Sequence, residues 1–375
     1  MGTPVPRTRL AAAVLALTAA SGCSWFASPE EDLDFDAYAD DLTDMHNESV
    51  RLDAELAAAE TRIVRGCLEA QGFALHNTHE FEHFGMTERE SFLDEAPYAA
   101  FMPTVEEARL RGVWQWINLD GAEDLEDGEP WAAWKEREAE RGFAPPFAEG
   151  EALPEFFDLP PQEQFDWWVA YMGEELAEYQ QGYLVDIETP VDEDGNPVGG
   201  YPPYGGCKRE MLDAVYGVDE DDGGRPSPPG GDWEGMNERY AERIVDVEAD
   251  LLTCLEDRGF GGWEPYRGHL RVHDYLHEAG EAEHPYHSFE DDGGAWPDPP
   301  EDVPDADDAQ GWLDFERDAA VLIAECGDES GYREAAEYAW QQVQLRYYLD
   351  IEEETYAWQE TMRGHLERAQ EVIGS

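Results

Sequence analysis

The 375-residue chain carries 88 acidic and 24 basic residues, a formal net charge of −64. Such a charge excludes nucleic acid as a partner, disfavours anionic lipid head groups, and gives a loose attraction for divalent cations. Disorder, the other consequence of high charge, is opposed by 13 Trp, 17 Tyr and 15 Phe, whose apolar surface needs a core.

The chain opens on Arg7 and Arg9, followed by an uncharged Ala- and Leu-rich run from Leu10 to Ala20. That run is too short for a permanent membrane span and has the form of a signal-peptide core. It ends in Ala20-Ser21-Gly22-Cys23, which resembles the lipobox of bacterial lipoproteins. The resemblance implies that residues 1–22 are removed and that Cys23 takes the lipid. The protein is then expected to be anchored to the membrane through that lipid, on the extracellular face of the cell membrane. Ala20 departs from the commoner Leu at that position. Among the basic residues only Lys135 and Lys208 are lysines, a bias that suits a GC-rich source.

Two helix ends repeat. Cys67-Leu68-Glu69-Ala70-Gln71-Gly72-Phe73 returns as Cys254-Leu255-Glu256-Asp257-Arg258-Gly259-Phe260, with five of seven positions identical. Leu52, Leu56, Ala59, Ile63 and Cys67 fall at helical spacing, as do Tyr240, Ile244, Val247, Leu251 and Cys254. Gly72 and Gly259 stand where a helix C-cap needs a left-handed residue. Each copy is followed by a further cysteine, Cys207 where Gly205-Gly206-Cys207 opens a helix from Lys208 to Tyr216, and Cys326 ahead of a long C-terminal helical stretch. Four cysteines allow three connectivities. The matching order favours Cys67–Cys207 and Cys254–Cys326, one bridge in each half.

Between these signals, Phe165 to Tyr179 reads as one helix, Tyr183–Ile187 as a short β-like run, and Asp192–Val198 as at most a small hairpin or turn. Asp219–Gly231 has the composition of a linker, and 188–206 and 290–311 read as insertions of the same acidic, Gly/Pro-rich kind. The tail from Tyr332 to Ile373 carries one apolar stripe through Trp340, Val343, Tyr347, Ile351, Trp358, Met362, Leu366 and Ala369. The expected fold is mainly α: two related helical, disulfide-closed halves with long acidic Gly/Pro-rich loops. The expected boundaries are 1–22 signal peptide, 23–218 first half, 219–232 linker and 233–375 second half.

The lipobox, the Cys-Leu-x-x-x-Gly-Phe helix ends, Glu106-Glu107-Ala108-Arg109-x-Arg111-Gly112, Phe165–Gly173 ahead of a Gly-Cys pair, and Cys326-Gly-Asp-Glu-Ser-Gly together resemble a group of secreted lipoproteins of actinobacteria. The aromatic-glycine segment of that group is altered here to Val113-Trp114-Gln115-Trp116. The group has no established activity, so the resemblance implies location and architecture only.

Chemistry is sought in the histidines, since eight of ten follow the two Gly-Phe helix ends. His79-Glu80-Phe81-Glu82-His83 matches H-E-x-x-H, which on a helix sets two imidazoles on one face with Glu80 placed to activate a metal-bound water. It lacks a third ligand and the usual apolar flanks. His269, His273 and His277 are four apart, so a helix would align them for a divalent metal, with His284 and His287 behind. Solvated histidines on an acidic surface are the plainer account of both sets. Trp114, Trp116, Trp131, Trp134, Trp167 and Trp168 could form a sugar platform, but core packing suits them better. Asp192–Asn196 lacks the alternation and closing Glu of a calcium loop. No phosphate loop, G-x-S-x-G or C-x-x-C is present. The function expected is a lipid-anchored envelope protein that binds or scaffolds. The alternative is a metal-binding protein or metal-dependent hydrolase using His79, Glu80 and His83.

Overall fold

The computed structural model describes residues 32–83, 85–118, 121–125, 127–140, 155–187, 200–217, 224–279, 294–300, 303–305 and 308–374, with backbone alone at 118, 123, 124, 138–140 and 277. Cys23, Asp192–Val198, His284 and His287 lie outside these residues. Ala39–Ala70 forms α1, its buried stripe running through Leu52, Leu56, Ala59, Val64 and Leu68. It stops at the repeated motif by a Schellman closure. Phe73 N–H donates to the Leu68 carbonyl (3.1 Å) and Gly72 N–H to that of Glu69 (3.0 Å). Trp233–Asp257 forms α7 and ends in the same way, Phe260 N–H donating to Leu255 (2.8 Å) and Gly259 to Glu256 (2.9 Å). Gly72 and Gly259 have φ of +100° and +81°, which a side chain would resist.

The remaining helices are α2 (Val105–Arg111), α3 (Glu129–Glu140), α4 (Pro161–Met172), α5 (Glu174–Gln181), α6 (Gly206–Val215), α8 (Val272–Ala279), α9 (Ala309–Glu329), α10 (Tyr332–Asp350) and α11 (Glu352–Gly374). Among the described residues there is no strand, only the isolated bridges Glu264–Ala295 and Tyr266–His269. The chain is mainly α-helical and carries two disulfides, Cys67–Cys207 (Cα–Cα 5.7 Å) and Cys254–Cys326 (5.6 Å). Cys207 and Cys326 are fully buried.

Each bridge closes one core. In the first, α1 packs on α6, α4 and α11, burying Leu56, Trp167, Met211 and Met362. In the second, α7 packs on α9 and α10, burying Ile244, Leu251, Ile323 and Trp340. The cores do not run in sequence order. Residues 96–113, from before the first bridge is completed, join the second core, and α11 joins the first. The C-terminal stripe is thus shared, α10 covering α7 and α11 covering α1, with the break at Ile351. Gln359 fastens α11 to α1 by donating to the Met45 carbonyl (2.8 Å) and to Ser49 Oγ (2.9 Å).

Three local expectations change. The helix expected over Phe165–Tyr179 breaks between α4 and α5 at Gly173, φ +90°. Its backbone meets Gly205 so closely that a Cβ on Gly173 would lie 2.7 Å from Gly205 Cα, and Gly205 N–H donates to the Met172 carbonyl (2.6 Å). That contact of glycine backbones seats the start of α6, and with it Cys207. Tyr183–Ile187 is not extended: Gly182–Val185 is a 3-10 turn closed by Asp186 in the left-handed region. Finally, 224–232 of the expected linker is docked. Arg225 binds α1, Trp358 Nε1 donates to the Pro226 carbonyl (3.0 Å), and Gly231 N–H donates to Tyr347 Oη (3.0 Å). Among the six tryptophans considered as a platform, Trp114, Trp116, Trp167 and Trp168 are buried, and Trp131 and Trp134 pack against Trp116 or each other.

Candidate functional site

The chain leaving α1 at Gly72-Phe73 runs to Asn77, whose Oδ1 accepts from His79 N–H (3.3 Å) and starts a turn at Thr78–Phe81. This turn holds the first three residues of the H-E-x-x-H sequence. It is a four-residue 3-10 turn, so His83 lies beyond its end and the four-residue spacing does not align the two imidazoles. His79 Nδ1 pairs with Glu82 Oε1 (2.9 Å), and His83 Nε2 with Asp53 Oδ2 of α1 (2.7 Å). Among the described residues no group of three or more His, Cys, Asp or Glu is arranged to hold a metal ion. His76, which precedes the turn, is buried. Its Nδ1 accepts from Trp167 Nε1 (3.2 Å), which puts the ring proton on Nε2, and burial lowers its pKa so that it stays neutral.

Glu80 and His83 nevertheless meet other polar groups around a cavity of about 220 Å³ between α1, the turn and α6. Arg225 reaches in from the docked segment, with Nη1 on Asp53 Oδ1 (2.7 Å) and Nη2 on Glu60 Oε2 (2.9 Å). Tyr216 Oη donates to Glu60 Oε1. Burial pushes the Glu80 carboxyl up, while Lys208, one of the two lysines in the chain, and a hydrogen bond with Tyr171 pull it back. The wall thus has carboxylates already answered by Arg225, His83, Tyr216 and Lys208. Chemically it can hold a small polar molecule against a fixed charge lattice. It offers no nucleophile–base pair and no converging ligand set.

The second histidine set is also divided. α8 begins at Val272, so His269 sits before it, on the turn Tyr266–His269, with its ring 6.3 Å from that of Phe101. Burial lowers its pKa. His273 stands on α8, where desolvation of its ring lowers its pKa, and the side chain of His277 lies outside the described ones.

Two groups escaped the sequence reading. Arg225 lies in a Gly/Pro segment whose composition suggested a linker. Glu316 is 2% exposed on α9, and its Oε2 accepts from the backbone N–H groups of Val113 and Gln115, each at 3.2 Å. Those donors are gathered by positive φ at Gly112 (+59°) and Trp114 (+71°), which fold the loop after α2 into a backbone nest. Burial pushes the Glu316 carboxyl up to about 8. The signal was present: Glu316 is the one carboxylate in the stripe Trp312, Leu313, Ala319, Ala320, Ile323.

Set against protein-family models, curated proteins and solved structures, the chain matches none. Among the described residues no helix is long and apolar enough to cross a membrane.

Proposed function

We propose that the chain is a lipid-anchored protein of the cell envelope, held on the outer face of a membrane through Cys23, and that it acts by binding or scaffolding. The observation that carries this reading is the sequence Arg7 to Cys23: a short basic start, an uncharged run and a cysteine behind small residues. Two further features support it. The protein carries two disulfides, which persist in oxidising compartments. Its motifs also resemble those of secreted actinobacterial lipoproteins. The acidic surface suits loose divalent-cation contacts and repels nucleic acid. Changing Cys23→Ser tests the anchor: the variant leaves the membrane fraction or accumulates unprocessed, and a variant that fractionates and migrates like the parent refutes it.

The reading from another class is a metal-dependent hydrolase on His79, Glu80 and His83. The separate carboxylate partners of the two imidazoles weigh against it. Zinc near one per chain in the purified protein, lost in His79→Ala, would reinstate it.

A further inference from the structure

A second cavity, about 390 Å³, lies on the other core, between residues 100–101 and the segment that follows the second helix end. We propose that it is a binding site for a small organic anion, a carboxylate or phosphate on an apolar or aromatic body, held by Arg267 and Arg271. This goes beyond the anchored-protein reading and does not depend on it.

The charge of the lining is the first observation. Acidic residues outnumber basic ones by 88 to 24 in the chain, yet this wall carries two arginines, with two histidines that burial keeps neutral, against the single carboxylate of Asp274. Asp274 and Arg271 compensate each other through Arg271 Nε (2.8 Å), and the Arg271 guanidinium also lies over the Trp296 ring (4.8 Å), so the wall keeps an excess of one positive charge. Arg267 meets Glu234 at 3.1 Å, a pair exposed on both sides and so weakly held. The rest of the wall is Ala100, Phe101, Leu270 and the ring of Tyr266, with the Asn237 amide as one further polar group. Such a volume, with mostly apolar walls and a few convergent polar groups, matches a small-molecule site (about 300–1,000 Å³).

The second observation is the backbone that presents Arg267. Tyr266 and His269 exchange both N–H···O bonds (3.0 Å each) across a two-residue turn. Both central residues have positive φ, Arg267 at +51° and Gly268 at +79°. Asn or Gly is the ordinary choice at the first of these positions; an arginine there is strained. The turn is held from below, where buried Tyr332 Oη donates to the Gly268 carbonyl (3.1 Å) and a Cβ on Gly268 would meet Ile244 Cδ1 at 2.8 Å. The fastened turn fixes the Arg267 backbone at the cavity wall and leaves its guanidinium only weakly engaged by Glu234, available to a carboxylate or phosphate.

The test uses the intact protein, with calorimetric titration of benzoate and phenyl phosphate, and with acetate and benzylamine as controls. Benzoate and phenyl phosphate are expected to saturate one site, at least tenfold tighter than acetate or benzylamine. Arg271→Gln and Arg267→Gly are each expected to weaken them at least tenfold. Arg267→Gly also relieves the strained turn, so it should melt at or above the temperature of the parent, which separates a recognition role from a structural one. The proposal is overturned if neither anion saturates, if a control binds as tightly, or if either variant retains the parent affinity.

Discussion

The two disulfide-closed cores start alike and finish differently. α1 and α7 end in the same Cys-Leu-x-x-x-Gly-Phe closure, each bridged to a buried cysteine on a partner helix and each covered by one of the two C-terminal helices. Beyond Gly-Phe the chains diverge. After Phe73 the loop enters a lattice of ion pairs around Arg225. After Phe260 it enters a strained turn that sets Arg267 at a mostly apolar cavity. The repeated part builds the two cores, and the segments that follow it are where the cores differ. That division follows from the physics, because a helix end and a bridge need only local residues and a partner, whereas a binding wall needs side chains from several elements.

The largest expected effect is the loss of a bridge. The cysteines are 140 residues apart in the first core and 72 in the second. Loop-closure entropy then gives each bridge about 4–5 kcal/mol, with the first slightly larger. Cys207→Ser should lower the denaturation midpoint at least as far as Cys326→Ser. The reverse order, by a clear margin, would mean that packing around the second bridge outweighs chain entropy.

Next comes pH, which should act on the second core through Glu316. Its folded pKa of about 8 lies above the ordinary 4.5, so the folded state holds a proton that the unfolded chain has released. That contribution is fully present below about 4.5 and is lost as pH rises through about 8, on the order of a few kcal/mol. Thermal melts from pH 5 to 9 should show the fall in the parent and a much flatter profile in Glu316→Gln. An identical profile in the two proteins would assign the pH dependence elsewhere.

The first core should respond instead to Arg225→Gln, which leaves Asp53 and Glu60 facing each other half-buried. A loss of about 1–3 kcal/mol is expected. Urea unfolding followed by tryptophan fluorescence checks it, and no change in midpoint would make the 224–232 segment a passive connector. The smallest effect is at the shared caps. Gly72→Ala and Gly259→Ala each force a side chain into the left-handed region, at about 1–2 kcal/mol. Similar losses at the two sites support the equivalence of the helix ends, and a loss at only one would break it.

How much of this was legible follows from the range of the interactions. The caps, both helices α1 and α7, and the bridge pairing could be read because each depends on local spacing or on order along the chain. The partner of α11 could not. The stripe from Trp340 through Ile351 to Ala369 is continuous in sequence, and a helical period gives the buried face without saying what buries it. His79 and His83 have the spacing of a metal-binding helix, but the segment is a short 3-10 turn set by the Asn77 side chain and the packing beneath it. Arg225 was hidden by its Gly/Pro surroundings. Glu316 was readable from its place in an apolar stripe, although its backbone donors, 201 and 203 residues away, were not.

The most direct test of the two-core account is native-state hydrogen exchange on the Cys67→Ser/Cys207→Ser protein. Local opening free energies differ between cooperative units, so loosening one core should leave the other protected. The account predicts faster exchange in α1, α4, α6 and α11, with α7, α9 and α10 near parent protection. Equal loss throughout, or loss in α10 with α11 still protected, would contradict it.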